Sequence, residues 1–323
     1  MEYIRTLLGD IEPKKLGVTY SHEHIVCIPP YWKEKGDVDY LLDDVNKSLA
    51  EIKLFKNEGG ESIIDATVID YGREVASVAE ISKVSGVNIV GTTGFNKSFL
   101  WSAKMPGKNE TFGAWIENSS INDLRDYMVN EIEYGLDSTE FKAGQIKFGT
   151  GYNSITSLEI KTIKAAVQAH RITKAPVHAH LEAGTMAIEQ IEILKAEGFD
   201  MHNISFGHMD RNPDPYIHKK VAQTGAFICF DGLGKVKYHP DSLVIDLIFS
   251  LVKNGFQKQI LVSGDTARRS YYKSYSEAIG LPFILKSWRP RLIEESNQQG
   301  IDGEALVKDI FINNPKNCFS FKN

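Results

Sequence analysis

The chain has no apolar run long enough to span a bilayer, and its opening stretch, MEYIRTLLGDIEPKK, carries no apolar core of the kind a secretory signal needs. It has only three cysteines, Cys27, Cys229 and Cys318, widely spaced and odd in number, so no disulfide framework is expected. Both absences point to a reducing, cytoplasmic home. Nor is there an excess of positive charge: 37 Lys and Arg against 42 Asp and Glu leave a net charge of −5. Such a chain presents no general field for nucleic acid, so any anion it binds must be met by local cations. No Gly-x-Gly-x-x-Gly opens a helix, which removes the dinucleotide-binding form of an open α/β sheet. No Pro/Gly-rich linker and no repeat interrupts the 323 residues, and a hydrophobic content of 42% can fill one large core.

What is present is alternation. Short β-branched runs stand at 16–22, 62–69, 87–93, 144–150, 175–181, 204–210, 225–231 and 259–265. Between them, apolar residues recur at helical spacing over 41–57, 73–84, 121–134, 157–171, 185–197, 214–223 and 241–254. Gly198, Gly225 and Gly255 stand where helices should stop. Eight strand–helix units predict one α/β domain over residues 1–323, a (β/α)8 TIM barrel. A doubly wound open sheet is the main rival. After the last strand, 286–300 and 302–312 read as two further helices, and the stretch 95–120, rich in Gly, Lys and Asn, as a loop over the barrel mouth. Trp101 and Trp115 are expected there as exposed aromatics, available to a lid or to a homodimer interface.

The predicted strands end on metal-binding residue types. His22 and His24 are two apart in a strand, so both side chains point to one face and form a clamp for a divalent transition metal. His180 ends the fifth strand, His208 the sixth and Asp265 the eighth. Singly, each has a plain explanation: a histidine satisfied by its neighbours, or an aspartate capping the next helix. Five together, on the rim where barrel enzymes place their catalytic groups, do not share that explanation. Lys147 lies inside the apolar run QIKFG, where an ammonium needs a partner or is forced neutral. The alternatives there are a buried salt bridge and a lysine converted by carbon dioxide into a metal-bridging carbamate.

In the segments LGVTYSHEHI, GTTGF, GQIKFGT, PVHAHLEAG, SFGHMD, FDGLGK, LVSGD and NNPKNCF, the sequence resembles the phosphotriesterase-like family of the amidohydrolase superfamily. The resemblance runs over nearly the whole chain. It implies a (β/α)8 barrel with two divalent metal ions that share a carbamylated lysine and a hydroxide. Carried over residue by residue, it puts His22, His24 and Asp265 on the more buried ion, His180 and His208 on the more exposed one, and Lys147 between them. His178, two residues before His180, is expected deeper in the barrel. Asp265 and Lys147 then become the catalytic pair: the hydroxide attacks, and Asp265 passes its proton towards the leaving alcohol. Such ligands suit zinc first, with manganese or cobalt as alternatives.

The rim after strands 7 and 8 bears on the substrate. Strand 7 leads into DGLGKVKYHPD, strand 8 into DTARRSYYK, and strand 3 into GFNK. Cations mixed with hydroxyl donors suit a phosphate or carboxylate, and barrels often hold phosphate at these loops. Surface loops also carry charge for solubility alone, and an exposed Lys-x-Lys is usually just solvated. Lys97, Lys237, Arg268 and Tyr271 are expected to hold a small anionic substrate. The pattern resembles the branch of the family that opens phosphorylated furanose lactones. The alternatives are a lactonase, esterase or organophosphate triesterase for uncharged substrates and, more remotely, a non-catalytic sugar-phosphate binding protein.

Overall fold

In the computed structural model, which describes residues 2–322, ten strands form two sheets. A short antiparallel hairpin, β1 (Ile4–Thr6) and β2 (Gly9–Ile11), comes first. Eight parallel strands follow: β3 (Thr19–Glu23), β4 (Ser62–Asp65), β5 (Asn88–Gly94), β6 (Ala143–Thr150), β7 (Val177–Leu181), β8 (Ile204–Phe206), β9 (Phe227–Phe230) and β10 (Ile260–Val262). Each pairs with the next in chain order. The seam between β10 and β3 is closed mainly by one side chain. Glu23 accepts hydrogen bonds from Ser263 Oγ at 2.7 Å and from the main-chain N–H groups of Gly264 at 2.6 Å and Thr266 at 2.8 Å. The N–H of Asp265 adds a bond to the His22 carbonyl at 3.1 Å. A carboxylate wedged between two histidines of the sequence thus acts as a barrel staple.

All eight expected strands form, and four of them, β4, β8, β9 and β10, end before the apolar runs do. After β8 and β10 the reason is local: His208 and Asp265 leave extended geometry as they enter the cavity at the barrel mouth. His208 and Asp265 both sit in the left-handed region, at φ 60° and φ 44°. For residues with a Cβ, such conformations cost about 1–3 kcal/mol and persist only where the surroundings enforce them.

The intervening helices match the apolar periodicity: Val45–Asn57, Val75–Ser85, Ile121–Glu133, Ser157–Thr173, Ala187–Ala196, Pro215–Ala222 and Asp241–Lys253. Ser120 and Thr156 start two of them with reciprocal capping boxes to Asp123 and Glu159. Alternation along the strands divides the core into two layers. Ile63, Ile89, Ile146, Phe148 and Ile228 face the helices, whereas Ile64, Val90, Cys229 and Leu261 meet Ile4 and Phe319 in a separate cluster. That cluster floors the barrel at the end opposite the cavity. The hairpin, which the sequence patterning does not suggest, helps plug this floor: the Leu7 N–H bonds to the Ile89 carbonyl at 2.8 Å.

The stretch after β10 carries helices Arg289–Gln298 and Gly303–Lys308, each joined to a wider π-type turn, and a last helix, Asn314–Phe319. The 95–120 stretch contains a short helix, Phe112–Asn118, and sends Asn96, Lys97, Phe99 and Leu100 into the cavity at the barrel mouth. Trp101 corrects one expectation: it is buried, not exposed, and its indole N–H donates to Asp70 Oδ2 at 2.6 Å. Its ring anchors the loop from below. None of the described helices is long and apolar enough to cross a membrane.

Candidate active site

At the C-terminal ends of the strands the fold opens into a cavity of about 360 Å³. The six residues expected to hold metal all line it: His22 and His24 at β3, Lys147 on β6, His180 on β7, His208 after β8 and Asp265 after β10. Asp265 Oδ1 lies 3.5 Å from His24 Nε2 and 3.7 Å from His22 Nε2. The His22 nitrogens are buried yet have no hydrogen-bond partner. Orphaned buried nitrogens facing a carboxylate oxygen form a cradle that a cation completes. On the other side of the cavity, His180 Nδ1 and His208 Nε2 point at each other across 2.8 Å, two lone-pair-bearing atoms converging on one place. The residues present therefore fit two divalent ions. His178 lies deeper, as expected, its ring edge-on to His22 at 4.6 Å and its Nδ1 2.8 Å from Ser205 Oγ.

Burial sets the protonation of this ring. It pulls His24 down to about 4 and His208 to about 3, and His180 also falls well below the ordinary histidine range. Neutral imidazole is the form that ligates metal. Burial likewise lowers Lys147 to about 8, and its Nζ donates to the Ala66 carbonyl at 2.9 Å. Asp265 is buried too, but Lys235, His24 and Arg211 together hold its carboxyl well below the usual range.

Several residues that orient the ring are not evident from the sequence motifs. Asp231, at the end of β9, accepts from His208 Nδ1 at 2.7 Å and from the His208 N–H at 2.9 Å, and lies 3.3 Å from His22 Nδ1. One buried carboxylate thus sets the tautomer of His208 and stands within ion-pair distance of His22. Its signal, a lone acid closing the apolar run AFICFD, is of the same kind that singled out Lys147. His24 Nδ1 is held at 2.8 Å by Thr67 Oγ1, which donates in turn to Asp65 Oδ1 at 2.5 Å. His180 Nε2 meets Glu182 Oε2 at 2.9 Å, and the same carboxylate oxygen takes Lys97. Arg211 Nη2 and Lys235 Nζ reach Asp265 Oδ2 at 2.5 Å and 3.2 Å.

The expected substrate-holding residues divide. Lys97, Arg268 and Tyr271 line the cavity; Lys237 is set back from its wall and donates to the Tyr271 hydroxyl. Arg268 stacks on Tyr40 at 4.0 Å and lies 3.4 Å from Asp39 and 3.6 Å from Asp37. Among the described residues, and leaving Lys147 aside, Lys35, Lys97, Arg211, Lys235 and Arg268 face the space, against the carboxylates of Glu182 and Asp265. A protein of net charge −5 has concentrated cations at one cavity.

Histidines, a buried lysine and an aspartate on the catalytic rim of a (β/α)8 barrel define a metal-dependent barrel hydrolase. More narrowly, the chain belongs to the Phosphotriesterase family, whose profile matches residues 2–319, and that family uses a binuclear metal centre. A lactonase from Listeria monocytogenes has a closely similar structure, with TM-score 0.98 and 57% identity over 99% of this chain and 100% of that one. The phospho-furanose lactonase of Mycoplasmopsis synoviae (strain 53) is 34% identical across 99% of this chain and 92% of its own length. The phosphotriesterase homology protein of Escherichia coli, solved with phosphate in its active site, has TM-score 0.85 and 30% identity over 94% of this chain and 99% of that one.

Proposed function

We propose that the chain hydrolyses the ring ester of a small phosphorylated furanose lactone. The observation that carries this reading is the cationic cavity above the histidine ring, in a chain whose net charge is negative. The names of the phospho-furanose lactonase and lactonase relatives agree with it. His22, His24 and Asp265 would hold the inner ion, His180 and His208 the outer, and Lys147, as a carbamate, both. Zinc suits these ligands, with manganese or cobalt as alternatives. Two such ions supply Lewis-acid polarisation and lower the pKa of water. The carbamate has support in the chain itself: a lysine lowered to about 8 by burial carries more of the free amine that adds to carbon dioxide.

The protein's own groups then orient and move protons. Arg268, Tyr271 and Lys97 line the cavity and would bind the exocyclic phosphate, with Lys237 acting through the Tyr271 hydroxyl. That anchorage fixes the ring carbonyl over the histidines and gains rate through orientation. As water adds to the carbonyl carbon, Asp265 Oδ1, the oxygen facing His22 and His24, would accept its proton. The proton returns to the ring oxygen as the carbon–oxygen bond breaks, leaving a free hydroxyl and a carboxylic acid, which gives up the second water proton to solvent at neutral pH.

A second reading, an uncharged lactone with an apolar tail, has one observation in its favour. A groove lined by Leu233, Val236, Ile279 and Phe283 adjoins the cavity and shares Lys235 and Tyr271 with it. Turnover of a lactone panel with and without a 5-phosphate separates the two. The phosphorylated members should be preferred, and Arg268→Met should lower kcat/KM on them by about tenfold. This is the low end for a charge-assisted bond, because Asp37 and Asp39 already share the guanidinium. Neutral lactones should be nearly unaffected. A wild-type preference for the neutral member would sink the phosphate reading and favour the second.

A further inference from the structure

Asp265 has two oxygens with opposite surroundings. Oδ1 faces His24 Nε2 at 3.5 Å and His22 Nε2 at 3.7 Å. Oδ2 turns away from them and takes Arg211 Nη2 at 2.5 Å and Lys235 Nζ at 3.2 Å. Lys235 Nζ also donates to the main-chain carbonyl of Asp265 at 2.5 Å, so one ammonium grips both the carboxylate and the backbone of a residue held at φ 44°.

We propose that Arg211 and Lys235 are positioning residues that fix which oxygen of Asp265 is presented to the metal site. The proposal rests on Asp265 as a ligand, and not on the identity of the substrate.

A carboxylate can exchange its two oxygens by rotating about its last single bond. Two cations on one oxygen remove that freedom, so the other oxygen stays aimed at the histidines. The left-handed backbone makes the restraint necessary: without the Lys235 bond to its carbonyl, the residue can relax towards an extended conformation that carries the carboxylate off the ring. The two cations are themselves held. The Arg211 guanidinium lies 5.0 Å from the Tyr238 ring centroid, and Lys235 Nζ lies 4.7 Å from that of Tyr271. Arg211 follows β8, Lys235 follows β9 and Asp265 follows β10, so the clamp ties together three consecutive rim segments. The competing assignment makes the same two cations direct ligands of a substrate anion, since both line the cavity. Both already bond to the same oxygen of Asp265, which favours the clamp.

The test uses the full-length metal-loaded protein and the variants Arg211→Met, Lys235→Met and Arg211→Lys. Metal per chain is measured after equilibration with graded chelator, together with kcat and KM on one neutral and one phosphorylated lactone. The melting temperature of the metal-free protein is measured in parallel. In Arg211→Met and Lys235→Met, the chelator concentration that removes half the metal should fall about ten- to a hundredfold, as for other residues that orient metal ligands. At saturating metal, kcat should drop by one factor on both lactones, with KM within about twofold. Arg211→Lys keeps a cation and should recover most of the metal retention. Unchanged retention in both Met variants overturns the proposal. So does a loss confined to KM for the phosphorylated lactone, which would make these cations substrate ligands. Retention that falls only in step with the metal-free melting temperature assigns them to the fold and overturns it too. If the Met variants do not fold, Arg211→Gln and Lys235→Gln carry the same readout. A failed phosphate reading would show separately, as a wild-type preference for the neutral lactone with the retention differences intact.

Discussion

Lys147 shows how much one side chain can be asked to do. It is enclosed on β6, and Nζ has a single protein hydrogen bond, to the Ala66 carbonyl at 2.9 Å. Burial works against its charge even with Asp265, Asp70, Asp231 and Asp65 nearby, whereas a carbamate between two cations would be well stabilised. Lys147→Ala should therefore lose most bound metal and activity, and a short carboxylic acid in the buffer should restore part of both by standing in for the carbamate. Lys147→Arg should fail even with that supplement, because a guanidinium stays charged and cannot become an anionic bridge. Metal analysis of the two variants checks this; full metal retention in Lys147→Arg would contradict the bridging role. The residue was legible from its sequence neighbours alone, since a cation inside QIKFG demands an explanation. Glu182 and Arg211 were not. A charged residue in a polar rim segment carries no such demand until a partner 2.5–2.9 Å away is visible.

At the scale of elements, the site depends on how closely two strands approach. Gly94 ends β5 at φ 102°, and a Cβ there would lie 2.1 Å from the Lys147 carbonyl oxygen on β6. The same oxygen accepts the Phe95 N–H at 2.9 Å. Gly94→Ala should thus push the Lys147 backbone outward. The strained φ and the overpacking should each cost about 1–3 kcal/mol. A melting temperature lowered by several degrees, with metal content reduced alongside, is the expected result. A variant with wild-type stability and full metal would show that β5 and β6 can separate without harm. The eight strands themselves were evident as apolar runs because parallel strands are buried on both faces. Their C-terminal ends were not, because the pull that bends His208 and Asp265 into left-handed geometry comes from Asp231, Arg211 and Lys235, all distant in sequence.

The whole molecule joins a negative chain to a positive cavity. Purified protein should hold close to two divalent ions, and a strong chelator should abolish turnover. Because the donors sit on β3, β6, β7 and the ends of β8 and β10, metal removal should also lower thermal stability. Ligand present at about a hundred times its dissociation constant stabilises by about 2.7 kcal/mol. Calorimetry with and without chelator reads this directly, and identical melting curves would speak against a site spanning the barrel. Electrostatics give a second readout. Rising ionic strength should increase KM for a phosphorylated lactone and leave that for a neutral one nearly unchanged, since screening weakens attraction only for the charged substrate.

The amino-acid order by itself determined the barrel and singled out the candidate donor residues. Both follow from rules that act over a few neighbours: apolar period, two-residue alternation along a strand, and metal-binding residue types at strand ends. Tertiary structure alone decided the rest. Closure of the barrel depends on Glu23 reaching Ser263, Gly264 and Thr266 across some 240 residues of sequence. The tautomer of His208 depends on Asp231, and the Oδ2 atom of Asp265 meets Arg211 and Lys235 only because three rim segments come together. Arg268 and Lys97, read from the sequence as open cations, are already shared with Asp37, Asp39 and Glu182. Charge in a loop is visible in sequence, but whether that charge is already spoken for is set by which loops the barrel brings side by side.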